Sequence, residues 1–588
     1  MRGRIDQIHR VEQQIPRQLK VHNNRINTLI NSFQYTVIVT CTCIIFLGTT
    51  RLSEIALMKE SCRNEFLKSF YDSDSDEMSL LQQVLSSDQV ATRKAAMIFL
   101  KSLVIRQIIP LNDTVIQMCL DSCQDPLLSV RKNGISSFTQ IMAKTSSLEI
   151  QASLNTTLAE ESKLNLRTKW LEIMLEKFDD LEKSVKEEAI GAISFHVIEN
   201  LKYPNHEMWL VLENYPPGRF EDFESNMGRL LEVLKSTEKL NPRILFKNSW
   251  HQLRATDGAF ATAWIFLRLI FNLSGEKRHF KPEETYNFFQ DNIENLTKKD
   301  PEAAGRALKF MTDFIDELAE SDKQQLFHDS RVRLSKLPVR SLSVLSSYAS
   351  LLQKDEAKNL QDWLKQNYNL NRFEKAARKL VETNSVDHDF ERRWHELVIW
   401  AITLSEFLTI LTPDEVEEFS TVLLVVYFEM VDSGVEIPEY LVNSMIHVQC
   451  RICAVNADMA ESTMPFFAHQ LEFNKNPKTR ATALSALADL CTVKTQLVDQ
   501  FLDVIAATLD DRSLYVRCVA LKQLTNLLKK DFIKLRPSIL SRMLIQAADK
   551  DPKIRKVAEK ASYCLTYVLA PRQPTLFYSH FTGRRNDF

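Results

Sequence analysis

The chain has 588 residues, more than one compact hydrophobic core usually holds, so the sequence implies several domains or one long repeat array. Only 11 Gly and 18 Pro occur, while 45% of the residues are hydrophobic and 26% are charged. This composition excludes a disordered chain and favours long helices over a sandwich or barrel. The formal net charge of −2 excludes a uniformly basic coat for nucleic acid.

The amino-terminal segment, residues 1–70, is atypical because it contains a short apolar run, YTVIVTCTCIIFL, at residues 35–47. The run is shorter than the roughly 20 apolar residues that a membrane helix needs, and it starts too far from Met1 for a typical signal sequence. We interpret it as a buried helix or strand. A non-native stretch from a faulty gene model and a membrane anchor stay open as alternatives.

An acidic run, DSDSDE, follows at residues 72–77 and contains Ser73 and Ser75. A solvated linker is the simplest interpretation. The alternative is regulatory phosphorylation of either serine, because the added negative charge would change a contact with a basic partner.

Residues 71–202 contain the first copies of a pattern in which Asp precedes Arg by six residues. In QDPLLSVRKNGISSF the pair is Asp125 and Arg131, and a shorter version of the pattern links Asp88 to Arg93. The distance along the chain from Arg93 to Arg131 is close to the period of a two-helix HEAT unit, which is roughly 40 residues. The sequence therefore predicts HEAT repeats over this segment.

The middle of the chain keeps a helical composition, but the pattern is less regular. Residues 203–258 lose it and contain the turn sequence PPG, so we predict a turn or irregular insertion there. Residues 259–400 carry another copy, Asp300 and Arg306 in KDPEAAGRALKF, and we predict further helical repeats over that range.

The carboxy-terminal segment, residues 401–588, carries the most regular copies, and their arginines again recur at close to the HEAT period. The pairs are Asn474 and Arg480, Asp511 and Arg517, and Asp549 and Arg555. Apolar residues at i, i+3 and i+4 follow each arginine and give every helix one stripe to bury against its neighbours. The predicted fold is all-α, a HEAT-repeat α-solenoid of the armadillo-like superhelical type.

The chemistry of the pattern favours a structural function. Asp or Asn near the turn between two helices can accept hydrogen bonds from unpaired N–H groups of the second helix, and Pro fits its first turn. We interpret the arginines as a ladder, each pairing with the Asp of the same or the next repeat, in preference to direct ligand binding.

A metal-like spacing occurs once, at His447-x-x-Cys450-x-x-Cys453. Structural zinc sites generally need a second close pair of ligands, and none follows at a similar spacing. We interpret the two thiols as packed in a repeat core and predict no metal.

Charge is distributed unevenly along the carboxy-terminal segment. Residues 401–440 carry nine acidic and no basic side chains, whereas residues 522–560 carry eleven Lys or Arg and four acidic residues. We predict that basic side chains at the ends and turns of adjacent repeats align into one edge that contacts DNA phosphate or an acidic protein surface; a solvated face is the alternative. The predicted edge consists of Lys529, Lys530, Lys534, Arg536, Arg542, Lys550, Lys553, Lys556 and Lys560.

Motifs of common enzyme classes are absent from the sequence. It contains no Gly-x-Gly-x-x-Gly, no Gly-Lys-Ser/Thr phosphate loop and no His-Glu-x-x-His. We therefore predict a protein that is not an enzyme, with no catalytic residues, no cofactor and no small-molecule substrate.

Three runs carry a family resemblance: LEFNKNPKTRATALSALADLC at 471–491, VDQFLDVIAATLDDRSLYVRCVALKQLTNLLKKDFIKLR at 498–536, and LTYVLAPRQPTLFYSHF at 565–581. They resemble the carboxy-terminal HEAT region of condensin non-SMC subunits, and among these the D-three type of condensin II. The resemblance implies a scaffold that binds kleisin and SMC subunits and, through the complex, chromatin and double-stranded DNA. It also implies a nuclear, chromosomal location and a function in mitotic chromosome condensation rather than at a membrane.

A rival class uses the same kind of solenoid. Nuclear transport receptors and trafficking adaptors are also helical repeat arrays, and they bind peptides or small GTPases instead of DNA complexes. The resemblance at 471–581 favours the condensin interpretation over this rival.

Overall fold

The computed structural model describes residues 80–561 apart from short gaps, and every regular element in that part of the chain is helical. The gaps are residues 106–108, 110, 146–155, 181, 274, 338, 384–389, 435–436, 494, 496–500, 552, 556 and 559–560. The apolar run at 35–47 and the acidic serine run at 72–77 both lie outside the described residues. The prediction of an all-α fold is confirmed.

The chain divides into two compact units, Met1–His251 and Gln252–Phe588. The described helices that begin in the first unit are α1 (Leu80–Leu85), α2 (Val90–Ile105), α3 (Asp113–Cys123), α4 (Leu128–Thr145), α5 (Thr156–Glu176), α6 (Lys183–Ile193), α7 (Met208–Glu213), α8 (Phe220–Ser236) and α9 (Pro242–Ala255). A π-helical segment, Ser194–Ile198, continues α6.

The second unit contains fifteen described helices. They are α10 (Ala261–Asn272), α11 (Pro282–Lys299), α12 (Pro301–Phe314), α13 (Glu320–Ser335), α14 (Leu345–Leu352), α15 (Ala357–Asn367), α16 (Leu370–Thr383), α17 (Phe390–Glu406), α18 (Pro413–Asp432), α19 (Glu439–Val455), α20 (Ala457–Phe473), α21 (Pro477–Val493), α22 (Leu502–Ala507), α23 (Leu514–Lys529) and α24 (Pro537–Ile545). Within the described part of the chain, no helix combines the length and the apolar character needed to cross a membrane.

The helices of each unit pack as stacked pairs. Consecutive helices such as α3 and α4, or α20 and α21, contact each other within a pair. Alternate helices then contact between pairs: α2 with α4 and α4 with α6 in the first unit, and α19 with α21 and α21 with α23 in the second. Because each helix is covered by its partner and by the next pair, the stack buries stripes that a single pair would leave exposed. The predicted HEAT-repeat solenoid is confirmed.

Helix α23 shows how the sequence directs this packing. Val516, Ala520, Leu524 and Leu528 are all buried, and their spacing of four residues places them on one face of the helix. Each fully buried Leu or Val contributes about 1.5–3 kcal/mol of transfer free energy. The apolar stripe predicted after Arg517 is therefore the face that joins α23 to its neighbours.

The segment 203–258, predicted to be a turn or irregular insertion, is helical and contains all of α7, α8 and α9. Its PPG sequence falls at a 3-10 turn, Pro217–Arg219. Asn226 donates a hydrogen bond to the carbonyl oxygen of Leu175 (3.2 Å), and Asn248 to that of Leu201 (2.8 Å). These buried bonds tie Asn226 and Asn248 to preceding elements of the first unit, although this stretch lacks the Asp–Arg pattern.

Candidate functional site

The central feature of the second unit is the pairing of Arg480 and Arg517 with the aspartate of the next repeat. Arg480, in the second turn of α21, donates from Nε to Asp511 Oδ2 (2.8 Å) and from Nη2 to Asp511 Oδ1 (2.7 Å). Its Nη1 donates to two carbonyl oxygens of its own turn, those of Asn474 (2.9 Å) and Lys475 (3.1 Å). One guanidinium thus stabilises its own inter-helix turn and binds the following one.

The next repeat builds the same contacts with looser geometry. Arg517 Nη1 donates to the carbonyl oxygen of Asp511 (2.9 Å), and Nη2 lies 3.3 Å from Asp549 Oδ2. Arg517 Nε is buried without a hydrogen-bond partner. Arg555 Nη1 donates to the carbonyl oxygens of Asp549 (2.7 Å) and Lys550 (2.9 Å).

Each aspartate of the ladder also orders its own turn. Asp511 Oδ1 accepts the backbone N–H of Ser513 (2.7 Å), and Asp549 Oδ1 accepts that of Asp551 (2.8 Å). Burial acts to raise the pKa of Asp511, but hydrogen bonds from Arg480 and Ser513 outweigh it, so the pKa is lowered and the carboxylate form is favoured.

The first unit contains an independent ladder of the same kind. Arg93 donates from Nε and Nη2 to the two carboxylate oxygens of Asp125 (2.7 and 3.1 Å), and from Nη1 to the carbonyl oxygen of Ser87 (2.7 Å). Arg131 donates to the carbonyl oxygen of Asp125 (3.0 Å) and to Asp180 Oδ1 (3.1 Å).

Asp180 was missed by the sequence reasoning, because the residue six positions later is Lys186 instead of Arg. A sequence pattern that also accepted Lys six residues after Asp would have identified Asp180.

Asp300 and Arg306 have the sequence offset of the ladder but a different local geometry. Asp300 is the N-cap of α12 and accepts the backbone N–H of Ala303 (3.1 Å), with Pro301 at the first helical position. Arg306 is buried two positions further into its helix than Arg480 is in α21. The shared offset therefore marks a helix start here, with the arginine displaced along the helix.

The predicted basic edge is divided into two groups by helix α24. Lys529, Lys530 and Lys534 are exposed and Arg536 is half-exposed, and all four lie before the amino terminus of α24. Lys550 and Lys553, also exposed, follow its carboxyl end, and the nine-residue helix between the groups is about 13 Å long. The two groups therefore occupy opposite ends of the repeat.

The remaining members of the predicted edge differ from these two groups. Arg542 forms an ion pair with Asp510. Lys556 and Lys560 lie outside the described residues.

The acidic segment 401–440 comprises parts of α17 and α19 and all of α18. Asp414, Glu417 and Glu418 are exposed on the first turns of α18. Glu406, at the end of α17, instead pairs with Arg451 of α19 and accepts from Nη2 at 2.7 Å. Sequence reasoning missed this pair, because the two residues are far apart in the chain and belong to no repeated motif.

The His447, Cys450 and Cys453 spacing lies on α19. Cys450 donates to the carbonyl oxygen of Ala486 (3.4 Å), and burial raises the pKa of Cys450 to about 12 and that of Cys453 to about 11. Burial, with Arg451 nearby, lowers the pKa of His447. Among the described residues, no three His, Cys, Asp or Glu side chains are grouped so that they could hold a metal ion.

Comparison with known proteins finds a family match over the part of the second unit that contains the ladder arginines Arg480, Arg517 and Arg555. Residues 478–577 match the family model described as non-SMC mitotic condensation complex subunit 1. The chain is 22% identical over 559 residues to condensin-2 complex subunit D3-L of Xenopus laevis. This alignment covers 87% of this chain and 35% of the Xenopus protein. The chain is 30% identical over 131 residues to condensin-2 complex subunit D3 of Mus musculus, covering 22% of this chain and 8% of that one.

These matches confirm the resemblance to the condensin II D-three type, and the chain spans about a third of the length of the Xenopus relative. Among solved structures, the S. pombe condensin Cnd3–Cnd2 subcomplex is similar with a TM-score of 0.43 and 12% identity, covering 95% of this chain and 82% of that chain. A crystal structure of importin beta has a TM-score of 0.39 and 10% identity, and the match covers 94% of this chain and 74% of the importin beta chain.

Proposed function

We propose that this chain is a non-catalytic scaffold subunit of a condensin II-like complex. In this proposal it binds kleisin and SMC subunits and, through the complex, chromatin and double-stranded DNA in the nucleus during mitotic chromosome condensation. The observation that carries the proposal is the match of residues 478–577 to the condensin family model, within the same repeats that form the second ladder.

The ladder supports a scaffold function. Arg480 directs its donors at Asp511 and at two carbonyl oxygens of its own turn, and Arg517 likewise binds Asp549 and its own turn. Arg555 binds two carbonyl oxygens of its own turn. Guanidinium groups engaged in this way hold adjacent repeats at a constant spacing and leave recognition to the exposed side chains of turns and helices.

Exposed charges of both signs are available for partners. Lys529, Lys530 and Lys534 would attract an acidic surface or DNA phosphate, and the exposed carboxylates at the start of α18 would attract a basic one. We propose that these two surfaces serve different partners.

Affinity purification of the tagged chain from mitotic nuclear extract, followed by mass spectrometry, tests the assignment. We expect SMC and kleisin chains in stoichiometric amounts. An unrelated HEAT-repeat protein carrying the same tag is the control for nonspecific recovery. Recovery of transport cargo or a small GTPase without SMC and kleisin chains would establish the rival transport-receptor function.

A further inference from the structure

We infer that the turns held by the second ladder present a row of cations, Lys475, Arg512 and Lys550, that binds the phosphates of duplex DNA. Each of these residues directly follows the Asn or Asp of the ladder in three successive repeats, so the cations recur once per repeat. All three side chains are exposed. Below, these three residues are called the turn row.

The backbone of each cation is held by the ladder arginine of its own repeat. Arg480 Nη1 lies 3.1 Å from the carbonyl oxygen of Lys475, and Arg555 Nη1 lies 2.9 Å from that of Lys550. Arg517 Nη1 makes the equivalent, longer contact of 3.5 Å with Arg512. Because the turns are ordered before any partner arrives, less conformational entropy is lost when the side chains bind.

Adjacent turns are also joined to each other. The carboxylate of Asp511 binds Arg480 of the preceding repeat, and Asp549 binds Arg517. Arg512 Nη2 reaches back to the carbonyl oxygen of Lys475 (3.3 Å), which places the first two turns side by side. Packed helices lie about 8–10 Å apart, so the row extends over roughly 20 Å, or about six base pairs of DNA at 3.4 Å each.

The ladder itself does not require a cation at this position. In the first unit the residues at the equivalent position, five before the ladder arginine, are Asp88 and Pro126, yet Arg93 and Arg131 make the same contacts with their own turns and with the next aspartate. The basic residues of the second unit therefore serve something other than ladder formation.

The local charge around the row favours an anionic ligand. Ladder arginines and aspartates neutralise each other, and the nearby Asp510 is paired with Arg542. Two further exposed lysines, Lys478 and Lys553, lie four residues after the ladder positions of the first and third turns.

Tyr515 occupies the equivalent position in the middle turn and is 56% exposed. Cations that recur once per repeat on turns held by the ladder suit a regular phosphate backbone better than the irregular carboxylates of a protein surface.

This inference rests on the proposed chromatin function and deepens it by naming the residues that touch phosphate. The test is fluorescence anisotropy of the full chain with a labelled duplex of about 30 base pairs, repeated over a range of salt concentrations. For the Lys475→Ala/Arg512→Ala/Lys550→Ala variant we expect affinity about tenfold lower at about 0.1 M salt, and a slope of log K against log salt smaller by about 3.

The matched control is Lys354→Ala/Lys358→Ala/Lys365→Ala, which removes the same charge from exposed lysines around α15 and should bind as the parent does. A Lys475→Ala/Lys550→Ala variant leaves the Arg512 contact in place, and its salt slope should fall by about 2. Circular dichroism verifies that each variant is folded.

An equal loss of DNA affinity in the row variant and in the control variant would overturn the inference, because the loss would then reflect net charge alone. Unchanged binding by the row variant, no duplex binding by the parent, or competition by polyglutamate in place of DNA would also overturn it. The condensin assignment is measured separately by recovery of SMC and kleisin chains. A row variant that still recovers those chains but binds DNA weakly supports both proposals.

Discussion

At the scale of single residues, the ladder contacts differ in strength although their sequence pattern is the same. Arg480 is 3% exposed and binds both oxygens of Asp511, whereas Arg517 makes one contact of 3.3 Å with Asp549 and leaves Nε without a partner. Two parallel N–H···O bonds to a carboxylate give a stronger and more directional pair than one.

We predict that Arg480→Ala lowers the free energy of unfolding by about 2–4 kcal/mol and Arg517→Ala by about 1–3 kcal/mol, because each leaves an aspartate unpaired and the first removes more bonds. Urea titration followed by circular dichroism measures both changes. Lys522→Ala, at an exposed position of α23, is the control and should change stability little. If Arg480→Ala left stability unchanged but abolished partner binding, the arginine would be a ligand contact.

The lowered pKa of Asp511 gives a further prediction at the same scale. A carboxyl group whose folded pKa is depressed contributes stability above its unfolded pKa, about 3.9, and this contribution is lost as pH falls through the folded value. The urea midpoint of the parent should therefore fall below about pH 4 more steeply than that of Asp511→Asn. Parallel pH profiles for the two proteins would show that the ion pair has no net stabilising effect.

At the scale of elements, the approach of α3 and α4 depends on one glycine. A Cβ placed on Gly134 of α4 would lie 2.7 Å from the carbonyl carbon and oxygen of Ser122 in α3, and 2.9 Å from the backbone nitrogen of Cys123. These are backbone atoms that cannot rotate away, so any side chain at 134 must push the two helices apart.

We predict that Gly134→Ala destabilises the first unit by about 1–3 kcal/mol through overpacking, despite the higher helix propensity of Ala. The matched control is Gly191→Ala in α6, where a Cβ meets nothing within 4 Å. There we expect a gain of up to about 1 kcal/mol from propensity. Thermal unfolding of both variants measures these changes in stability. A Gly134→Ala protein as stable as the parent would contradict the close approach of α3 and α4.

At the scale of the molecule, each of the two units contains its own helices and its own arginine ladder. A fragment of residues 259–588, which begins after α9, retains the helix pairs and the ladder of the second unit. We predict that this fragment folds alone, with a helical circular dichroism spectrum and a cooperative urea transition. A fragment that is unfolded under native conditions would show that the second unit needs the first.

A second molecular-scale prediction concerns Lys529, Lys530, Lys534 and Arg536. If this group also contacts phosphate, replacing all four with Glu should weaken duplex binding and flatten its salt dependence, while circular dichroism stays helical. Duplex binding equal to that of the parent at every salt concentration would mean that these side chains form a solvated face. Because the group lies across α24 from Lys550, its effect can be separated from that of the turn row.

The sequence by itself determined the features that depend on local periodicity. The stripe after Arg517 follows helical spacing, and the Asp–Arg offset recurs at close to the HEAT period, so the helical repeat fold and most of the ladder residues, though not Asp180, could be predicted without coordinates. The runs between 471 and 581 likewise carried the family resemblance that the comparisons confirm.

Only the tertiary structure decided which residues meet, because contacts between repeats depend on how the helices stack and on the length of the connections. Arg480 binds an aspartate 31 residues away, and Arg131 binds one 49 residues away, where a longer connection intervenes. The tertiary structure also divided the predicted basic edge, because the length of α24 separates two groups of lysines that are close in sequence. A six-residue offset is local, whereas pairing and exposure are properties of the packed array.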